Sequence, residues 1–135
     1  MRLPQIIFAI TIVFLIGCHS RQDELDAESA AERIHSELRS QDFQSIYRES
    51  GDSFKETGSE SKFVAAMQQI HEAFGPLKKA SPIAYQSGFD SNVGVKHVLT
   101  FELEFERGRA KENMVLTRSR KGEMQLWDLA IDPIG

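Results

Sequence analysis

The residues best suited to chemistry are one histidine and two arginines near the ends of two predicted strands. Residues 93–105 alternate between apolar and polar side chains, and His97 is the single polar residue in the row that faces inward. In the antiparallel register that we predict, Arg120 lies opposite His97, and Arg118 lies opposite Leu99. Together they could form a positive cluster that holds a carboxylate or a phosphate by charge-assisted hydrogen bonds. The alternative is that the row leaves the core here and that all three side chains are solvated.

Three carboxylates, Glu102, Glu104 and Glu106, lie on the other face of the same strand. Paired carboxylates perform acid–base chemistry only when their environments differ and a substrate reaches between them. Neighbours on one exposed sheet face usually form a solvated surface, and Lys111 is within reach of this one. We therefore predict a solvated face whose like charges discourage association between sheets.

The four histidines, His19, His35, His71 and His97, do not have the spacing of a metal site. Glu32 and His35 stand one turn apart, but we predict them on an exposed helix, where such pairs are common. No Ser/His/Asp order, glycine-rich phosphate loop or nucleotide motif occurs in the chain. The sequence thus predicts no catalytic residue, no metal site and no cofactor.

Three helices are predicted ahead of the strands. The first covers residues 27–39, and the second is shorter and begins after Asp42, whose side chain can cap it. The third is capped by Ser59 or Ser61 and ends at Gly75-Pro76, with glycine past the last turn and proline blocking continuation. Its apolar stripe consists of Phe63, Met67, Ile70 and Phe74.

A four-strand antiparallel meander is predicted to follow the helices. Its first strand, residues 79–89, is interrupted by Pro82, and a turn at residues 107–110 joins the second strand to the third. This turn places Phe105 opposite Glu112. The last strand follows a turn at Lys121-Gly122, and its core-facing row is Trp127, Leu129 and Ile131. Three helices packed on one face of a curved four-strand sheet define an α+β fold.

This order of elements resembles the nuclear transport factor two-like superfamily, the cystatin-like α+β cone. The matching features are the short helix near Asp42-Phe43, the phenylalanine-rich helix closed by Gly75-Pro76, the long alternating strand and a last strand with Trp127-Asp128-Leu129. Enzymes of that superfamily use acids, histidines or tyrosines inside the cone, but none of their motifs maps onto this chain. The resemblance therefore implies the fold and no particular activity.

Cys18 is the only cysteine of the chain and follows closely on an apolar run over residues 6–16. The run is shorter than the ~20 residues of a membrane-spanning helix, and Arg2 precedes it, as in a signal peptide. Leu15-Ile16-Gly17-Cys18 resembles the lipobox of bacterial lipoproteins. The resemblance implies a diacylglycerol thioether on Cys18, cleavage before it and acylation of the new amino group. The alternatives are an uncleaved N-terminal anchor and a secretory signal that is cut elsewhere.

The residue after the cysteine bears on the membrane to which such a protein is sorted. His19 stands where an aspartate commonly retains lipoproteins in the inner membrane, so the resemblance implies the periplasmic face of the outer membrane in an organism with two membranes. We divide the chain into a signal peptide (1–17), a lipidated tether (18–26) and an α+β domain (27–135). The net charge of −4 at pH 7 argues against a nucleic-acid partner.

Together these features predict a non-enzymatic, lipid-anchored cell-envelope protein whose domain binds a small ligand or a protein partner. An anionic ligand would be held by His97, Arg118 and Arg120. One alternative is a small enzyme of isomerase or hydrolase type that uses His97 with Tyr85 or Asp128, and another is an accessory subunit that docks by its sheet. A deep pocket with His97 and a second titratable group would favour the enzyme.

Overall fold

The protein consists of four helices followed by four strands. A computed structural model describes the backbone of residues 3–135 and the side chains of residues 21–135. The helices are α1 (Leu3–Arg39), α2 (Phe43–Glu49), α3 (Asp52–Glu56) and α4 (Glu60–Phe74), and the strands are β1 (Leu77–Asp90), β2 (Gly94–Phe105), β3 (Gly108–Arg118) and β4 (Met124–Ile134). The predicted signal peptide, residues 1–17, and Cys18 lie outside the residues whose side chains are described.

The helices begin and end where local chemistry satisfies their backbone groups. The Asp42 side chain accepts a hydrogen bond from the Ser45 amide at 3.3 Å, and Ser59 accepts one from the Lys62 amide at 3.3 Å, which confirms the predicted caps of α2 and α4. Gly75 ends α4 with a φ of 79°, a value that glycine adopts without strain. The short helix α3 was not predicted, and it buries Phe54.

The strands form one antiparallel sheet in the order β1-β2-β3-β4, as predicted. One hydrophobic core joins the helices to a single face of this sheet. From α1 the core takes Ala27, Ala30, Ala31, Ile34 and Leu38, the face predicted from helical spacing, and from the sheet it takes Leu99, Leu103, Met114, Leu116 and Leu126. The expected α+β class is therefore confirmed.

The predicted register of β2 with β3 is wrong. The connection is a two-residue turn at Glu106-Arg107, so Phe105 lies opposite Gly108 instead of Glu112. Gly108 passes directly under the ring of Phe74, and a Cβ atom there would lie 2.8 Å from Cε1 of that ring. The turn is also tied to the end of α4, because the Arg107 amide donates to the Phe74 carbonyl at 2.7 Å. The displacement is even, so the inward row keeps its face although every partner changes.

The expectation that Trp127 lies in the core is also wrong. A β-bulge interrupts the pairing of β3 with β4, since Leu116 pairs with Leu126 whereas Val115 pairs with Asp128. Trp127 is the extra residue of this bulge and is only half-buried. It lies under the Lys96 ammonium, which is 3.8 Å from the centre of the indole ring. Because a bulge changes which residues face inward, the core position predicted for Trp127 is taken by Leu126.

Candidate functional site

The structure separates Arg120 from the other two residues of the predicted positive cluster. His97 lies opposite Leu116, not Arg120, and its Nδ1 is 2.8 Å from the Tyr85 hydroxyl. His97 is 3% exposed, and this burial is the main cause that lowers its pKa below the ordinary value. Arg120 is exposed and follows the end of β3. The predicted pairings of His97 with Arg120 and of Leu99 with Arg118 are therefore wrong.

Arg118 does lie near His97, and both line an open cavity of about 530 Å³. Its Nη2 is 2.6 Å from Asp23 Oδ1 and 2.9 Å from Asp26 Oδ2, both on α1. The hydrogen bonds to Asp26 and Asp23 raise the pKa of Arg118, and the bond from Arg118 lowers the pKa of Asp26. Two carboxylates thus surround the one guanidinium, and an incoming anion would have to compete with them.

The acidic face of β2 is exposed in part and paired with cations of the neighbouring strand. Glu102 lies opposite Lys111, and its Oε1 accepts a hydrogen bond from Arg109 Nη1 at 2.7 Å. Glu104 lies opposite Arg109. In the part of the chain whose side chains are described, no group of three or more histidine, cysteine, aspartate or glutamate side chains is placed to hold a metal ion.

A larger groove of about 650 Å³ lies between α1 and the first two strands. Its apolar walls include Leu25 of α1, Leu99 and Phe101 of β2, and a β1 segment that contains Pro82 and Ile83. Ile83 is the extra residue of a β-bulge in β1, and its side chain is 57% exposed at the groove. A bulge redirects a side chain out of the regular alternation, which here places a large apolar group at the mouth. Pro82 is tolerated because β1 is an edge strand.

One lining residue of this groove, His35, is paired with a buried glutamate. His35 of α1 lines the groove, and its Nε2 is 2.6 Å from Oε1 of Glu112 on β3. His35 is 4% exposed and Glu112 is fully buried. The expectation that His35 sits on an exposed helix face is therefore wrong. The helical spacing of Ala31, Ile34 and Leu38 predicts that His35 is buried, because residue 35 lies on the same face of α1.

Glu112, the partner of His35, is the second residue that the sequence analysis did not identify as functional. It occupies the inward row of β3 between Ala110 and Met114, and it is the only carboxylate in that row. Its other oxygen, Oε2, is buried without a hydrogen-bond partner among the described residues. A buried carboxylate is costly unless it is paired, so the imidazole of His35 is the group that makes this position tolerable.

The second ring nitrogen of His35, Nδ1, makes no hydrogen bond among the described residues, and it is not one of their fully buried, unpartnered polar atoms. The ring packs edge-on against Phe101, with centroids 4.5 Å apart and planes at 85°. The charged side chains lining the groove are Glu28, Glu32 and Arg39, so its rim carries more negative than positive charge.

Neither the comparison with protein-family models nor the comparison with curated proteins finds a match to this chain. Within the residues that the structure describes, no helix is both long and apolar enough to cross a membrane.

Proposed function

We propose that this is a lipid-anchored cell-envelope protein whose α+β domain binds a small, mainly apolar ligand in the groove between α1 and β1–β2. The observation that carries the proposal is the groove itself. A volume of about 650 Å³ falls within the range of small-molecule sites, which combine apolar walls with a few polar groups. The apolar walls, together with His35 and the charged side chains of Glu28, Glu32 and Arg39, fit that description.

The mouth of the groove supports the same proposal. Leu25 is 44% exposed and Ile83 is 57% exposed, so two large apolar side chains face water on opposite sides of the opening. A ligand lying between them would remove both side chains from water, and each buried methylene contributes about 0.8 kcal/mol.

A matched pair of isoleucine substitutions tests the proposed ligand site. The full chain is held in phospholipid nanodiscs, labelled with ¹⁵N-histidine, and titrated with para-tert-butylphenol while the His35 resonances are followed. We expect Ile83→Ser to weaken binding about threefold or more, because it removes apolar contact at the mouth. Ile134→Ser changes a similarly exposed isoleucine that does not line the groove, and it should leave the affinity unchanged. Equal behaviour of the two variants would contradict the proposal.

The lipid anchor is proposed from Leu15-Ile16-Gly17-Cys18 at the end of the apolar run. Several acyl chains on one residue hold a protein at a membrane far more firmly than a single chain does. Intact-mass spectrometry of the wild-type protein should show a chain that begins at a triacylated or diacylated Cys18, and Cys18→Ala should leave the unlipidated precursor. An unmodified Cys18 inside a longer chain would refute the anchor. Absence of an aspartate after Cys18 supports the outer membrane in an organism with two membranes.

A small enzyme of isomerase or hydrolase type is the second candidate, and one observation favours it. A histidine that lines a groove and is held by a buried carboxylate is a common arrangement for a general base. That histidine is His35 with Glu112, whereas the sequence pointed to His97. Turnover of a groove ligand that is abolished by His35→Gln but not by His97→Gln would support this candidate over simple binding.

A further inference from the structure

We infer that Nδ1 of His35 accepts a hydrogen bond from the ligand, and that the groove selects neutral molecules that pair an apolar body with a weakly acidic hydroxyl group. The inference rests on the proposed function, because it names the class of ligand that the same groove would bind. Three features carry it: the Glu112 contact, the packing of the imidazole and the charge of the rim.

The carboxylate of Glu112 sets the tautomer of His35. Its Oε1 is 2.6 Å from Nε2, so the two atoms share a short hydrogen bond. An ionised carboxylate can only accept, so Nε2 carries the proton and donates it. In the neutral imidazole the other nitrogen, Nδ1, then keeps its lone pair and acts as an acceptor. A ligand beside His35 in the groove therefore meets an acceptor that needs a donor.

The imidazole is held in place before any ligand arrives. The carboxylate that anchors the imidazole is fully buried on the inner strand β3. The edge-on contact with Phe101 restricts rotation of the imidazole ring. Since His35 lies on a helix packed into the core, its acceptor atom has a fixed position relative to the apolar walls. Such preorganisation lowers the entropy lost when a ligand hydrogen-bonds, and it gives selectivity for a donor at one place on the ligand.

The charges around the groove argue for a neutral ligand. Glu28 and Glu32 lie on α1 at the groove, and Glu112 lies behind His35, whereas Arg39 is the one lysine or arginine among the described lining residues. An anion would be repelled by this excess of negative charge, and the effect is stronger near the buried carboxylate than in water. A neutral hydroxyl group can donate a hydrogen bond to Nδ1, and it is not repelled by the negative charge around the groove.

Two probes that differ in one donor test the inference. The full chain in nanodiscs is titrated with para-tert-butylphenol and, separately, with para-tert-butylanisole, whose methyl ether cannot donate. We expect the phenol to bind about five- to tenfold more tightly, as expected for one added hydrogen bond to a fixed acceptor. The ¹⁵N shift of Nδ1 should be that of an unprotonated ring nitrogen in the free protein and should move on binding the phenol.

The Glu112→Gln variant separates a role in the tautomer from a role in the fold. Its amide group can either accept from Nε2 or donate to it, so the imidazole is no longer restricted to the tautomer with an unprotonated Nδ1. We expect the preference for the phenol over the anisole to become smaller. Glu104→Gln, an exposed glutamate on the opposite sheet face, should keep the wild-type preference.

The outcomes of this experiment are distinct. Equal affinity of the wild-type protein for the two probes, or a protonated Nδ1 in the free protein, would overturn the inference and leave the groove as a ligand site. If neither probe shifts the His35 resonances, the proposed function and the inference fail together. The two-probe comparison in the wild-type protein decides the matter even if Glu112→Gln does not fold.

Discussion

We predict that Glu37 makes the stability of this fold depend on pH. It lies in α1 beside Glu49 of α2, and its Oε2 is buried without a partner among the described residues. Burial, followed by the hydrogen bond and charge of Glu49, raises the pKa of Glu37 to about 7, and Arg33 opposes this only in part. Arg33 is shared, since its Nε is 3.8 Å from Glu37 and 3.2 Å from Glu49.

The sign of the effect follows from proton binding. The ordinary pKa of this carboxyl group is 4.5, so between that value and about 7 the folded protein holds a proton that the unfolded chain has released. Stability is therefore greatest below the lower value and falls as pH rises through the folded pKa. The full pKa shift corresponds to about 3 kcal/mol in the free energy of unfolding. Because the carboxyl group is partly exposed, screening by water reduces this contribution to about 1–2 kcal/mol.

Substitution of Glu37 by Gln removes the titration and keeps the shape of the side chain. Urea unfolding of the full chain between about pH 5 and pH 8 should show the wild type losing about 1–2 kcal/mol more than the variant over that interval. At the upper pH the variant should be the more stable protein. Each kcal/mol of difference in the free energy of unfolding should raise its melting temperature by about 4–8 °C. Comparing the two proteins cancels the other titrating groups, and Glu104→Gln on the exposed sheet face should follow the wild type. Parallel curves for the wild type and Glu37→Gln would refute the reasoning.

The remaining predictions concern the sheet and the Arg118 cavity. Gly108→Ala should destabilise the protein by about 1–3 kcal/mol, because its Cβ overlaps a packed aromatic ring, whereas Gly88→Ala meets no atom within 4 Å and should cost less than about 1 kcal/mol in thermal melts. Trp127→Ala should cost about 1–2 kcal/mol rather than the about 3–5 kcal/mol of a core aromatic, and a larger loss in urea unfolding would place Trp127 in the core after all. Asp23→Asn should strengthen phosphate binding near Arg118 about threefold at low ionic strength by removing a competing carboxylate, and an unchanged NMR titration would contradict this.

Much of the architecture follows from local patterns in the sequence. The stripe that includes Ala27, Ile34 and Leu38 predicts the buried face of α1, and Asp42 and Ser59 predict the starts of two helices. These features are decided within a few residues of the chain, because a cap needs only the next turn and an amphipathic stripe needs only its own helix. The alternation along β2 likewise predicts which side chains face the core.

The register of the sheet and the contacts of the proposed groove depend on interactions between distant parts of the chain. The two-residue turn before Gly108 sets the register of β3, and a bulge in β4 turns Trp127 away from the core. The turn is tied to the end of α4 by the hydrogen bond from the Arg107 amide to the Phe74 carbonyl, and one changed register alters every cross-strand partner. His35 and Glu112 are far apart along the chain and meet only when α1 lies across the sheet. The sequence alone determined the kinds of elements and their order, whereas tertiary packing decided which polar side chains share a buried site.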